Sequence, residues 1–215
     1  MDDITPKKIA LVVAGSLLTI GILFGAWYMT SAPKTVVRQD IPVRDTDYVA
    51  ANKKAKVMLV EYSDFQCPAC GQYHSLIKQV LEKYKDQIGF VQRHFPLQQH
   101  ENAIVAARAA EAAGKQGKFY EMGDLLFTNQ KDWEELDEPV KTFEGYANKL
   151  KLNMDQFKKD NTDAFDKKIE ADRLSGVALG VNSTPTFFLN GVKLSNPGSM
   201  DAFSKLIDAE LAASK

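Results

Sequence analysis

The chain has 215 residues, 45% hydrophobic and 26% charged, which suits one globular domain with appendages and excludes a disordered protein. A formal net charge of -1 gives no basic field for nucleic acid. Cys67 and Cys70 are the only cysteines, so once they pair with each other no structural disulfide is left, and stability must come from an apolar core.

Residues 1–8 form a short tail ending in Lys7-Lys8, and Ile9 to Met29 then runs without a charge. At about 1.5 Å per residue that run spans a hydrocarbon core of about 30 Å, with Trp27 and Tyr28 placed as an interfacial pair. A cleaved signal has an apolar core of only about 7 to 15 residues, so residues 9–29 are expected to be a retained transmembrane anchor. Lys34, Arg38 and Arg44 follow the run, leaving the charge rule close to neutral on orientation. The very short basic tail and a dithiol suited to oxidising compartments place Ser31 onward on the extracytoplasmic side of the cell membrane. Residues 30–56, polar and without a sustained period, read as a tether to a domain covering 57–215.

Val57 to Tyr62 and Ile88 to Phe95 are strand candidates. Between them, Pro68 to Tyr84 sets Cys70, Tyr73, Ile77, Leu81 and Tyr84 on one helical face. Cys67 precedes a proline suited to the first helical turn, so it occupies a helix tip, where N–H groups and the macrodipole favour a thiolate. That makes Cys67 the nucleophile and Cys70, one turn inward, the resolving thiol of a redox-active Cys67–Cys70 disulfide. A structural zinc site would need two more ligands, and His74, His94 and His100 show no paired ligand spacing; no metal is expected.

Helical spacing continues through Ala103 to Ala113, which stops at Gly114, through Phe119, Met122 and Leu126, and through Val140, Phe143, Ala147 and Leu150. Asn161 to Val177 reads as a further, less regular helix. Thr186 to Leu189 is a strand, Asn190-Gly191 a hairpin signal and Val192 to Leu194 the return. Pro185 opens that strand with its peptide bond cis or trans. Ser199 caps a closing helix with Phe203, Leu206, Ile207 and Leu211 facing inward.

Three pieces carry a resemblance: Val60-Glu61-Tyr62-Ser63-Asp64-Phe65-Gln66-Cys67-Pro68, Arg93-His94-Phe95-Pro96 and Thr184-Pro185-Thr186-Phe187-Phe188. In order and spacing they resemble the thioredoxin superfamily, nearest to the DsbA-like thiol-disulfide oxidoreductases, over about Lys56 to Ser214. The resemblance implies an α/β thioredoxin-like fold with a helical insertion at about 100–178, preceded here by one transmembrane helix. It implies that Pro185 is a cis-proline beside the disulfide and that the Thr184 backbone presents an edge to extended substrate. It implies that Glu61 is a buried acid assisting proton movement at Cys70, where a solvent-facing strand residue is the alternative. Pro68 and Ala69 complete the active-site loop. Strongly oxidising members often carry histidine where this chain has Ala69, so a weaker thiolate stabilisation is expected here.

The function so implied is a monomeric, membrane-anchored oxidase that introduces disulfides into reduced client proteins. A quinone-linked membrane partner would reoxidise it, and no cofactor is needed. A disulfide reductase or isomerase using the same dithiol is one alternative. A metallochaperone using Cys67, Cys70 and His74 is another.

Overall fold

The computed structural model describes residues 6–30 and 37–214, with side chains in the first stretch described over 15–28. Of the expected tail and tether, residues 1–5 and 31–36 lie outside the described residues. Two compact units result, Met1–Val36 and Val37–Lys215.

In the first unit Pro6–Thr30 forms one helix, α1, which contains the expected span Ile9 to Met29. Its described large apolar side chains, Leu17 through Tyr28, are all at least 60% exposed. Among the described residues, no helix is long and apolar enough to cross a membrane, so the expected span is not shown.

The second unit is built on a five-stranded sheet in the order β1-β3-β2-β4-β5. The strands are β1 Val49–Ala51, β2 Val57–Ser63, β3 Ile88–His94, β4 Thr186–Leu189 and β5 Val192–Lys193. β2 and β3 run parallel, joined by the crossover helix α2 Pro68–Tyr84, and β4 returns antiparallel against β2. β3 is buried along its whole length, as expected of a central strand covered on both faces. On one face Ile77, Val80 and Tyr84 of α2 join Phe203 and Ile207 of the closing helix, and Leu59, Phe90 and Phe187 meet them from the sheet. On the other, Val60, Tyr62, Val91 and Phe188 form a smaller cluster with Phe95 and Val181.

Between β3 and β4 lie α3 Ala103–Gly114, α4 Phe119–Thr128, α5 Val140–Lys149, α6 Met154–Asp160 and α7 Asp166–Ala178; α8 Met200–Ala213 closes the chain. The alanines of α3 are buried at the centre of the inserted helices, their small side chains letting α4 and α5 pack close. Trp133, Phe143 and Phe157 fill the space around them, and the same cluster takes in Phe65, Cys67 and Cys70. The dithiol therefore sits at the seam between the inserted helices and the sheet. The expected helix at Asn161 begins later, at Asp166, because Thr162 caps a short turn at Asp163–Phe165 and Asn161 ends α6.

The stretch read as a tether differs most. Arg38 bridges to Val192 through its backbone and to Glu210 through its guanidinium, and the Gly191 turn lies so close to the Gln39 carbonyl that a Cβ could not fit. Val49–Ala51 adds an edge strand to β3, and Tyr48 stacks on Phe119 at 4.5 Å. Ion pairs add to this hold: Asp47 holds the buried Arg93 at 2.8 Å, and Arg44 bridges Asp47 and Asp172. Burial opposes ionisation of Asp47, but hydrogen bonds from Arg93 and from the Arg44 backbone outweigh it and hold the carboxyl below its usual range. Asp47→Ala strands the Arg93 charge and is expected to cost about 3 to 5 kcal/mol in denaturant unfolding. A loss under about 1 kcal/mol, the value of an exposed pair, would show that the stretch is loosely held.

Candidate active site

β2 delivers the site. Its last residues are buried, the chain turns through Asp64-Phe65-Gln66, and Pro68 starts α2 at a position where its missing N–H is no loss. Cys67 is the extended residue that caps α2, with φ -72° and ψ 121°. Its thiol is 6% exposed and that of Cys70 is fully buried; the two are unbridged.

The thiols differ in kind. The Cys67 thiol is lowered to about 5, first by a hydrogen bond from Cys70, with burial opposing and with Thr184 and the N–H groups of Cys70 and Ala69 assisting. The Cys70 thiol is pushed well up by burial, by its role as donor to Cys67 and by the negative charge of Glu61. Of the two thiols, Cys67 is the one on which a negative charge is favoured, at the end of a helix whose free N–H groups face it.

Facing Cys67 is the loop before β4. The Thr184-Pro185 bond is cis, and the Thr184 carbonyl lies 3.5 Å from Cys67 Sγ, where it accepts the proton of the thiol form. Asn196 Nδ2 donates to the Pro185 carbonyl at 2.8 Å, Tyr73 Oη donates to the Asn196 carbonyl, and Thr186 Oγ1 donates to the Ser183 carbonyl. The loop is pinned on both sides of the proline.

Beneath the thiols Glu61 is 4% exposed, in register with Gln92 on β3 and Phe187 on β4. Burial raises its carboxyl to about 7 against the hydrogen bond donated by Ser63 Oγ at 2.7 Å, and the charge of Cys67 adds to the rise. The alternative of a solvent-facing Glu61 does not hold. Ser63 escaped the sequence reading; its signal was the two-residue spacing that puts it on the same strand face as Glu61.

The structure brings Cys67, Cys70, Glu61, Thr184 and Pro185 together, with Pro68 and Ala69 in the loop. It separates the histidines. His74 meets Asp124, His94 meets Glu111 and His100 meets Asp64, each at 2.7 or 2.8 Å. Burial lowers the His74 ring below its usual value. Among the described residues, no three His, Cys, Asp or Glu side chains are grouped to hold a metal.

The family described as Thioredoxin matches residues 44–209. Among solved structures, alpha-DsbA1 of Wolbachia pipientis is 23% identical with a TM-score of 0.72, over 81% of this chain and 94% of that one. BdbD from Bacillus subtilis, in its oxidised form, is 23% identical with a TM-score of 0.71, over 82% and 98%. Among curated proteins, the Na(+)/H(+) antiporter NhaA 1 of Salinispora arenicola is 38% identical over 173 residues, 80% of this chain and 26% of that protein. NhaA 3 of Salinispora tropica is 33% identical over 223 residues, 97% of this chain and 33% of that protein. The chain spans about a quarter to a third of the length of these relatives.

Proposed function

The chain belongs to the thioredoxin family with a DsbA-like fold, and on that premise we propose that it is a thiol-disulfide oxidase acting on reduced client proteins. The observation that carries this reading is the inequality of the two thiols, with the charge settled on the helix-tip Cys67.

In the proposed cycle a client thiolate attacks Cys67 Sγ of the oxidised protein. A client–Cys67 bond forms, the Cys67–Cys70 bond breaks, and the pair of electrons leaves on Cys70, which takes a proton. Glu61, poised near neutral pH, is the group placed to supply that proton. A second client thiolate then attacks the client sulfur and Cys67 leaves as a stabilised thiolate. The client is oxidised by two electrons and the protein is reduced by two. The Thr184 backbone beside cis-Pro185 offers an extended client segment an edge to pair with. These steps call for no bound cofactor or metal.

Return to the disulfide requires an oxidant, which we assign to a quinone-linked membrane partner of the kind DsbA-like proteins use. The uncharged run within α1 supports a membrane anchor, and a dithiol suited to oxidising compartments supports a domain on the extracytoplasmic side. The antiporter name belongs to the longer relatives.

The test is stoichiometric oxidised protein mixed with a reduced dithiol peptide. The peptide should lose both thiols as Cys67 and Cys70 appear reduced. A peptide that keeps its thiols would overturn the reading.

A further inference from the structure

Gln130 lies in the short turn Gln130–Asp132 between α4 and α5, far in sequence from the dithiol, and is only 9% exposed. Trp133 fixes that turn: its ring is fully buried and Nε1 donates to the Leu126 carbonyl at 2.9 Å. From there Gln130 Nε2 donates to the Phe65 carbonyl at 2.7 Å and to the Cys67 carbonyl at 3.1 Å. The Cys67 carbonyl also accepts the first helical hydrogen bond of α2, from Gly71 N–H at 3.1 Å.

We propose that Gln130 is a positioning residue for the redox centre, through which the inserted helices hold the Cys67 peptide and keep the first turn of α2 aimed at Sγ. The proposal rests on the oxidoreductase reading and adds to it a role for the insertion. Two carbonyls two residues apart are tied to one amide group, so the turn around Gln66 has a fixed opening. The N–H groups of Ala69 and Cys70 follow directly from the Cys67 peptide, and their direction depends on its orientation. Gln66 is held separately, its Nε2 donating to the Glu134 carbonyl at 2.6 Å, and the Gln66 and Cys67 N–H groups bond back to Asp64, so it is the Phe65 and Cys67 carbonyls of the loop that depend on Gln130. Gly71 supports the same account from α2, since a Cβ there would stand 3.1 Å from Gln130 Oε1. A larger residue at position 71 would push the amide away from the two carbonyls.

Gln130→Leu keeps the bulk and removes the donor. In the reduced variant the ultraviolet thiolate signal of Cys67, followed against pH, should move to higher pH. The equilibrium constant against glutathione should fall about tenfold toward the disulfide form, which is about 30 mV for this two-electron couple. Gly71→Ala, which leaves Gln130 intact and suits a helix, should move both quantities in the same direction by less, and it keeps the question open to test if Gln130→Leu folds poorly. Ile207→Val, which thins the core between the sheet and α8 away from the inserted helices and the active-site loop, should lower stability and leave both quantities unchanged. Unchanged values in both Gln130→Leu and Gly71→Ala, or an equal shift in Ile207→Val, would overturn the positioning role. An unaltered protein that exchanges no disulfide with glutathione would overturn the oxidoreductase reading beneath it.

Discussion

Replacing Cys67 with serine is expected to reduce client oxidation to the uncatalysed rate, whereas Cys70→Ser, offered a client sulfur already in a disulfide, should accumulate a mixed disulfide between Cys67 and that sulfur as the other sulfur leaves as a thiolate. The asymmetry follows from the helix tip. Cys67 has the lowered thiol, the residual exposure and the facing Thr184 carbonyl; Cys70 is fully enclosed and raised. A client thiolate reaches only Cys67, and without Cys70 nothing inside the protein displaces it. Trapping with a one-thiol client presented as its glutathione disulfide, from which the Cys67 thiolate displaces glutathione, followed by mass measurement, reads the adduct directly. Alkylation of reduced protein should modify Cys67 well before Cys70, and equal rates for the two would contradict the assignment.

Glu61→Gln is expected to act in two directions. The Glu61 carboxyl, raised to about 7 by burial, binds its proton more tightly in the folded protein than at its ordinary value of 4.5. A raised acid weakens the fold as pH climbs: the native state binds more protons than the unfolded state between about 4.5 and 7, so stability falls across that window and the loss is complete above it. The full effect is on the order of 3 kcal/mol. Measured on oxidised protein, where neither thiol titrates and only the larger, burial-driven part of the rise remains, the glutamine variant should lack this decline and overtake the unaltered protein above neutral pH. Ser63 can still donate to the amide oxygen, so the strand pairing is kept. Exchange should slow by about 100-fold in the step that makes or protonates Cys70, the usual scale of a lost general acid-base group. Rapid-mixing kinetics of mixed-disulfide formation would show it. Parallel stability profiles for the two proteins between pH 4.5 and 8 would rule out a buried, proton-holding Glu61.

How much of this was legible depended on the force involved. Apolar periodicity and proline chemistry marked β2, α2, β3 and β4, and the same signals placed Cys67 at a helix tip with Cys70 turned inward. β1 and the chain from Arg38 look like a tether in sequence because β1 is only three residues long and the chain before it is held by ion pairs to Glu210, Asp172 and Arg93, and so short a strand and scattered charges leave no period to detect. Ser63 was visible in principle through strand alternation. Gln130 was not: its link to Phe65 and Cys67 crosses 65 and 63 positions, and a glutamine in a polar turn looks like any surface residue until the fold closes around it. The helix read from Asn161 began too early because capping at Thr162, a matter of one side chain, outweighed the helical preference of its neighbours.

The central claim is that the charge on Cys67 favours the reduced protein, and the comparison of denaturant midpoints for the two redox forms tests it most directly. A disulfide closing a four-residue loop contributes only about 2 kcal/mol through chain entropy, so a well-stabilised thiolate can exceed it. The sign follows from the depressed thiol: its contribution is full above the unfolded thiol range and is lost as pH falls through about 5. At pH 7 the reduced protein should therefore show the higher midpoint, and its lead should shrink as the pH is lowered toward 5. An oxidised form that is the more stable of the two at pH 7 would contradict the oxidase account and give the dithiol the poise of a reductase.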